Sequence, residues 1–440
     1  MNTYSSYKDS GIEWIGEIPS GWRIEKLKYI GNLYGGLTGK SGKDFNNEDN
    51  PYNKPFIPFT NIFNNVYISS NHFQYVNIKP DERQNRVIKN DLFFLMSSEG
   101  YEDLGKSSIL ISEIDELYLN SFCKGYRVNT DDVNPLFVNY QLLGNTHRKL
   151  ISIEGKGFTR INLRQDKLKN TYMFIPPLQE QQQIVDYLDK KTSKIDKLIE
   201  KTEQKIELLK EQRTSLINTT VTKGLNPNVE MKDSGVEWIG EIPSGWNVTK
   251  LKYTCNITYG ISPPDTTYND KGRGEILING PVEYSKEDFG YTRSTKWTTD
   301  PKKFTEKGSL LFCLRGSTTG RMNITHDYVS IGRGVCSIIS KESQWFMIYS
   351  MFIVRDYIQG EITGSTFPSV TKDDVDNYFI CTPPQQEQQQ IVDYLDKETT
   401  KIDKLIDTET KRINLLKEYR QSLVSDIVTG KVDVRDEVLV

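Results

Sequence analysis

The chain is written twice. Residues Lys8 to Tyr29 read KDSGIEWIGEIPSGWRIEKLKY and return at Lys232 to Tyr253 as KDSGVEWIGEIPSGWNVTKLKY, an offset of 224 residues. A second block, PPLQEQQQIVDYLDKKTSKIDKLI from Pro176, returns as PPQQEQQQIVDYLDKETTKIDKLI from Pro383, an offset of 207. A repeat of this kind constrains architecture before any local propensity does. The offsets differ by 17, so the segments between the blocks, roughly 31–174 and 255–381, differ in length while the frame around them is constant. In mid-chain the Pro-Pro block runs into the Trp block through Gly224, Asn226 and Pro227; at the ends the Trp block comes first and the Pro-Pro block last. Joining the C-terminus to the N-terminus would recreate the middle. That circular order predicts a pseudo-twofold molecule with each insert in an equivalent setting.

After each Pro-Pro pair the sequence takes on helical periodicity, and proline is tolerated in a helix's first turn because its missing N–H has no partner there. Val185, Leu188, Thr192, Ile195, Ile199, Thr202, Ile206, Leu209, Arg213 and Leu216 alternate steps of three and four, and Val392, Leu395, Thr399, Ile402, Ile406, Glu409, Ile413, Leu416, Arg420 and Leu423 repeat the pattern. This is a heptad seam, with Gly224 and Gly430 as stop signals. Each helix of about 40 residues spans on the order of 60 Å. Twofold symmetry within one chain requires the two to run antiparallel. The alternative, each stripe packing on its own domain, leaves a five-heptad seam longer than a small domain covers. The Trp blocks set Trp14 and Trp22, and again Trp238 and Trp246, around an Ile-Pro-Ser-Gly turn, which suits a buried bracket or an interface anchor.

Composition bounds the rest. A chain of 440 residues with 36% hydrophobic and 26% charged residues is globular, of two to four domains. No apolar run reaches the ~20 residues of a membrane helix and the polar start lacks a signal-peptide pattern, so a cytoplasmic location is expected. Cys123, Cys255, Cys313, Cys336 and Cys381 form no C-x-x-C pair and are expected to be reduced, buried thiols. The net charge of −3 argues mildly against nucleic acid.

The inserts read as mixed domains with short strands at Asp91 to Met96, Glu275 to Gly280, Ser309 to Leu314 and Val335 to Ile339, and helical stretches at Pro135 to Asn145 and Trp345 to Ile358. They share matching marks. A buried-looking strand precedes a polar loop, SSEGYEDLGK from Ser97 and RGSTTGR from Arg315; a Gly-x-Thr loop, GFTRINL from Gly157 and GSTFPSV from Gly364, then leads to the Pro-Pro helix. Equivalent loops carry different side chains, which suits an object that reads two different things. Local charge supports this: His147 to Lys169 holds seven basic residues against two acidic, and Arg293 to Arg333 eight against three. Lysine and arginine hold phosphates while interleaved polar and aromatic side chains read or stack on bases. The candidate DNA contacts are Lys40, Lys43, Ser97, Ser98, Tyr101, Lys106, Lys156, Thr159, Arg160, Asn162 and Arg164 in the first insert. In the second they are Arg273, Arg293, Lys296, Trp297, Arg315, Ser317, Thr318, Arg321, Arg333, Thr366 and Ser369.

Catalytic motifs do not emerge. Asn134-Pro135-Leu136-Phe137 and Ser262-Pro263-Pro264-Asp265 each miss one residue of an adenine methyltransferase loop and read as loops. Gly35-Gly36-Leu37-Thr38-Gly39-Lys40-Ser41 is one residue short of a phosphate-binding loop and reads as a flexible, DNA-facing one. Nuclease-style carboxylates after Pro80 or Pro264 lack a following Asp/Glu-x-Lys, and His72, His147 and His326 show no metal or triad spacing.

The doubled Pro-Pro-x-x-Glu-Gln-Gln-Gln-Ile start at Pro176 and Pro383, the doubled E-W-I-G-E-I-P-S-G-W block and the Thr-Gly-Lys-Val-Asp-Val run at Thr429 to Val434 resemble the specificity subunits of type I restriction-modification systems. The resemblance covers essentially the whole chain and lies in the combination of blocks. It implies an α+β architecture: two mixed α/β target-recognition domains separated by two long helices packed as an antiparallel coiled coil, pseudo-twofold symmetric. The expected division is a Trp block at 1–30, a recognition domain at 31–174, a long helix at 175–225, a second Trp block at 226–254, a second recognition domain at 255–381, and a helix and tail at 382–440. The resemblance further implies that each domain reads half of a bipartite site in double-stranded DNA. Two modification subunits methylate adenine with S-adenosylmethionine, and restriction subunits use ATP and magnesium. No catalytic residue, metal or cofactor is expected on this chain. Two alternatives stay open: a coiled-coil scaffold without DNA binding, and an independent DNA methyltransferase.

Overall fold

The computed structural model describes residues 2–13, 15–45, 50–287, 289–316, 318–362 and 369–437. The backbone condenses into two units, residues 1–202 with 411–440, and residues 203–410. The division falls inside both long helices instead of at their ends, so each unit takes one half of each.

In the first unit the strand Arg23–Lys26 pairs antiparallel with Tyr172–Ile175, and in the second Asn247–Lys250 pairs antiparallel with Phe379–Thr382. These pairs sit where the repeated blocks stop and restart. Each insert therefore leaves and rejoins the frame at a single two-stranded clasp, and its length is free to vary.

Both inserts are built on the same four-stranded antiparallel sheet. The order is Gly31–Gly35, Cys123–Val128, Leu92–Leu95, Ser107–Ile109 in the first and Cys255–Tyr259, Val335–Ser340, Leu310–Cys313, Met322–Ile324 in the second. The apolar runs LFFL and LLFC are fully buried because both faces are covered. Leu92 and Phe94 face one core cluster while Phe93 and Leu95 face another; Leu310 and Phe312 against Leu311 and Cys313 repeat the division. Period-two alternation here separates two cores, not core from solvent. The inserts diverge in the outer layer, where the first has a three-stranded sheet and the second a five-stranded one. All five cysteines are free and buried. Burial pushes the Cys123 and Cys381 thiols up to about 12 and Cys255 to about 11, so these sulfurs are unreactive.

The long helices run Leu178–Lys223 and Gln385–Val428, each immediately after its Pro-Pro pair. Within the second unit Lys205 pairs with Glu409 and Arg213 Nε lies 2.9 Å from Asp403 Oδ1; one number rises as the other falls, so the helices are antiparallel there. In the first unit Arg420 Nε meets Asp196 Oδ1 at 2.8 Å, the counterpart of the Arg213 pair. The seam is buried, with Leu188 and Leu395 both at 0% exposure. Each helix ends at a left-handed glycine, Gly224 at φ +71° and Gly430 at φ +74°. Space is tight at Gly224, where a Cβ would lie 3.1 Å from Trp246, and closed at Gly430, where one would lie 2.4 Å from Pro19.

The repeated motifs now have a physical account. Glu180, in a helix's first turn, accepts from Trp22 Nε1 at 2.9 Å and from the Tyr4 hydroxyl at 2.7 Å, while Glu387 accepts from Trp246 Nε1 at 2.9 Å. A carboxylate at a helix N-terminus is also favoured by the helix dipole. The next residue bridges outward. Gln181 donates to the carbonyls of Pro176 at 2.8 Å and Asp132 at 2.9 Å, and Gln388 donates to the Pro383 carbonyl at 3.0 Å and to Glu342 at 2.6 Å. Trp22 and Trp246 are buried, whereas Trp238 is half-buried and stacks on Tyr357 at 5.0 Å; Trp14 lies outside the described residues. The circular order is realised in the first unit, where the Asp433 N–H donates to the Asn2 carbonyl at 2.9 Å and the Tyr7 hydroxyl to that of Gly430 at 3.1 Å.

Candidate nucleic-acid interface

Both inserts bring their two polar loops together by the same device. In the first unit Ser97–Ser98, just past the central strand, pairs antiparallel with Ile161–Asn162, and the Leu163 N–H donates to the Met96 carbonyl at 2.8 Å. In the second, Arg315 bridges to Ser369 and the Val370 N–H donates to the Leu314 carbonyl at 3.0 Å. Loops far apart in sequence thus form one face per unit, adjoining the segment that leads into a long helix.

On the first face, mutual backbone hydrogen bonds between Lys156 and Asn162, at 3.1 and 2.9 Å, close a hairpin. Gly157 at φ +147° makes its turn possible, since a Cβ there would lie 2.0 Å from the Arg160 carbonyl oxygen. Lys156, Thr159, Arg160 and Asn162 are all exposed, and the Arg160 guanidinium lies over the Phe122 ring at 5.7 Å. Tyr101 is half exposed beside them, its carbonyl accepting from Ser152 Oγ at 2.8 Å. Arg164 is exposed but paired with Asp166 at 2.9 Å, and Lys43 is exposed on a short 3-10 turn at Gly42–Asp44. In the second unit Arg273, Arg315, Arg333 and Ser369 are exposed, and Thr318 is half-buried with its hydroxyl 3.7 Å from Cys313 Sγ. Ser317 and Thr366 lie outside the described residues.

Other candidates from the sequence are occupied elsewhere. The Lys40 ammonium pairs with Glu82 and donates to the Asn77 carbonyl at 2.5 Å, with its side chain only 6% exposed, so it is not offered to a ligand. The glycine-rich stretch before it is close-packed at one end and open at the other: a Cβ on Gly36 would lie 2.1 Å from the Asn120 carbonyl oxygen, whereas one on the exposed Gly39 would meet nothing within 4 Å. Ser97 and Ser98 are buried by their strand pairing, and the Ser98 hydroxyl turns to the Gly100 carbonyl at 2.5 Å. Lys106 lies over the Phe63 ring at 4.6 Å, and burial holds its pKa below the usual lysine range. Lys296 neutralises the buried Glu283 at 3.0 Å, Arg293 donates to the Tyr284 carbonyl at 2.8 Å, Arg321 donates to the Ser285 carbonyl, and Trp297 is half-buried within the outer sheet. His147 is fully buried with Nε2 2.8 Å from the Tyr172 carbonyl oxygen, and burial lowers its pKa to about 4. The first near-miss motif is a helix start and not a loop: Asn134 caps Pro135–Leu143 by accepting from the Leu136 N–H at 2.9 Å. Among the described residues no cluster of three or more His, Cys, Asp or Glu side chains has the placement of a metal site.

The family model described as "Type I restriction modification DNA specificity domain" matches residues 19–208 and again 243–418. The chain belongs to this family. Each match opens inside a Trp block and ends within a long helix, so one specificity domain corresponds to one turn of the internal repeat. The chain is 29% identical over 434 residues to the putative type I restriction enzyme MjaX specificity subunit of Methanocaldococcus jannaschii, covering 96% of each. It is 21% identical over 449 residues to the type I restriction enzyme EcoKI specificity subunit of Escherichia coli strain K12, covering 95% of this chain and 90% of that one. A solved chain from work on the structural basis of complex assembly and conformational transition of the type I R-M system superposes with a TM-score of 0.72 at 20% identity, over 94% of this chain and 99% of that one. The HsdS subunit of Thermoanaerobacter tengcongensis superposes with a TM-score of 0.53 at 19% identity, over 94% and 98%. These two likenesses establish the fold.

Each specificity domain is anchored to the long helices by side chains that the sequence did not single out. The Tyr140 hydroxyl, joined by Tyr67, donates to Asp189, and the Tyr349 hydroxyl donates to Asp396 at 2.6 Å. The two aspartates are equivalent positions of the repeat. Gln421 Nε2 adds a bond to the Leu143 carbonyl at 2.7 Å in the first domain, and Asn218 donates to Asp356 at 2.9 Å in the second. Asp189 and Asp396 were visible in the repeated VDYLDK run, but their tyrosines lie in the divergent inserts, where no repeat marks them.

Proposed function

We propose that the chain is the DNA-reading subunit of a type I restriction-modification complex, each unit reading one half of a bipartite double-stranded site. The observation that carries this is one frame used twice to present unlike side chains on equivalent loops: Lys156, Thr159, Arg160 and Asn162 in one unit, Arg315 and Ser369 in the other. Cations fix register on the phosphates, and the polar side chains between them supply base contacts. Tethering makes the second contact intramolecular, so two weak readings act as one selective one. In this reading the long helices set the spacer and dock two modification subunits. Those subunits carry S-adenosylmethionine and the methylation step, ATP and magnesium belong to the restriction subunits, and this chain carries no catalytic step. The proposed location is the cytoplasm; among the described residues no helix is long and apolar enough to cross a membrane.

A net charge of −3 favours a second reading, a helical scaffold without DNA contact. A salt titration separates the two. The chain assembled with its modification subunits is expected to shift duplex DNA, with affinity falling linearly in log–log against salt. Binding that is absent, or indifferent to salt, supports the scaffold and removes the DNA-reading proposal.

A further inference from the structure

The least expected residue on the first face is an apolar one. Phe158 sits at the tip of the Lys156 to Asn162 hairpin with a relative exposure of 106%, so its ring is in solvent on every side. It is carried on a paired hairpin whose Arg160 lies over a second exposed ring, Phe122 at 61%, so aromatic and cationic groups share one exposed surface there. The charge around it selects the partner. Lys156 and Arg160 stand two residues to either side of Phe158 and Arg160 is braced over Phe122 at 5.7 Å, whereas Arg164 further along is paired with Asp166. A ring flanked by cations that hold phosphates is the chemistry of base stacking, and apolar wedges entering a duplex open one base step and bend it.

We propose that Phe158 is a stacking wedge, inserted against a base step of the half-site read by the first unit, with Lys156 and Arg160 seated on the adjoining phosphates. This rests on the DNA-reading proposal and adds to it a residue and a mode of contact. Specificity then comes partly from which step opens cheaply, so a flexible pyrimidine–purine step is the expected seat.

The test uses the full chain assembled with its modification subunits. The probe is a duplex of the sequence that this complex methylates in its host genome, with 2-aminopurine placed in turn at each position of one half. With the unaltered complex, fluorescence is expected to rise at one step besides the methylated adenine, which the modification subunits themselves take out of the stack. Phe158→Ala should abolish that rise and weaken binding roughly 10- to 100-fold, leaving the slope of affinity against salt unchanged. Phe158→Trp should preserve both, and Lys156→Ala with Arg160→Ala should flatten the salt slope. A Phe158→Ala complex that binds and unstacks like its parent overturns the wedge while leaving salt-sensitive binding intact. A parent complex that binds no duplex overturns the wedge together with the DNA-reading proposal. Thermal melting of Phe158→Ala is expected to match the parent; a variant that unfolds shows Phe158 to be structural and overturns the wedge as well.

Discussion

At the scale of single residues, burial decides which charges are available. The linear count over His147 to Lys169 gives seven basic residues, yet Arg148 donates to the Glu102 and Leu104 carbonyls at 2.6 and 2.8 Å, and Arg164 and Lys167 pair with Asp166 and Glu154. A composition window cannot see this, because the carbonyls that hold Arg148 lie more than forty positions away in sequence. Phe158 is invisible in the sequence for the opposite reason: an aromatic in a loop is usually buried, and only the structure shows it fully exposed. His147 itself yields a prediction. Burial depresses its pKa from 6.5 to about 4, so the folded state prefers the neutral ring. That contribution is fully present above the unfolded pKa and is lost as pH falls through the window from about 6.5 to about 4. The shift amounts to about 3 kcal/mol. Thermal unfolding followed across that window should show the first unit losing stability, and His147→Gln should flatten the pH dependence. An identical slope in the variant would remove His147 as the cause.

At the scale of elements, the sequence was most legible where one physical rule acts alone. The heptad spacing, the prolines before each helix and the glycines after it correspond to the observed helices, Leu178–Lys223 and Gln385–Val428. The apolar runs became buried strands with both faces covered. What the sequence did not reveal was pairing. The matching sheet orders, the two-stranded clasps and the junction of Ser97–Ser98 with Ile161–Asn162 depend on long-range register, which short strands of two to six residues do not encode locally. The helix pair also shows which force dominates. Leu188 is at 0% exposure, and Leu188→Ala is expected to cost about 2–5 kcal/mol. The Arg420 and Asp196 side chains are 21% and 52% exposed, so their ion pair is screened, and Arg420→Ala should cost at most about 1 kcal/mol. Thermal unfolding of the two variants checks the ranking. Equal losses would mean that ion pairs, not the apolar seam, hold the helices.

At the scale of the whole molecule, the repeat separates a constant frame from a replaceable insert. The frame is held by bonds that recur at matched positions: Trp22 with Glu180 and Trp246 with Glu387, Tyr140 with Asp189 and Tyr349 with Asp396, Arg420 with Asp196 and Arg213 with Asp403. Two of these six bonds, Trp22 with Glu180 and Trp246 with Glu387, lie wholly within the repeated blocks, and in the other four the carboxylate does, so the frame's side of every bond is the same whatever the insert carries. That division of labour is tested most directly by exchanging residues 31–174 for the corresponding insert of another specificity subunit. The methylated sequence is then read across the host genome, with the modification subunits present. The account predicts that one half of the methylated site changes while the other half stays as it was. A change in both halves from this single exchange would contradict it.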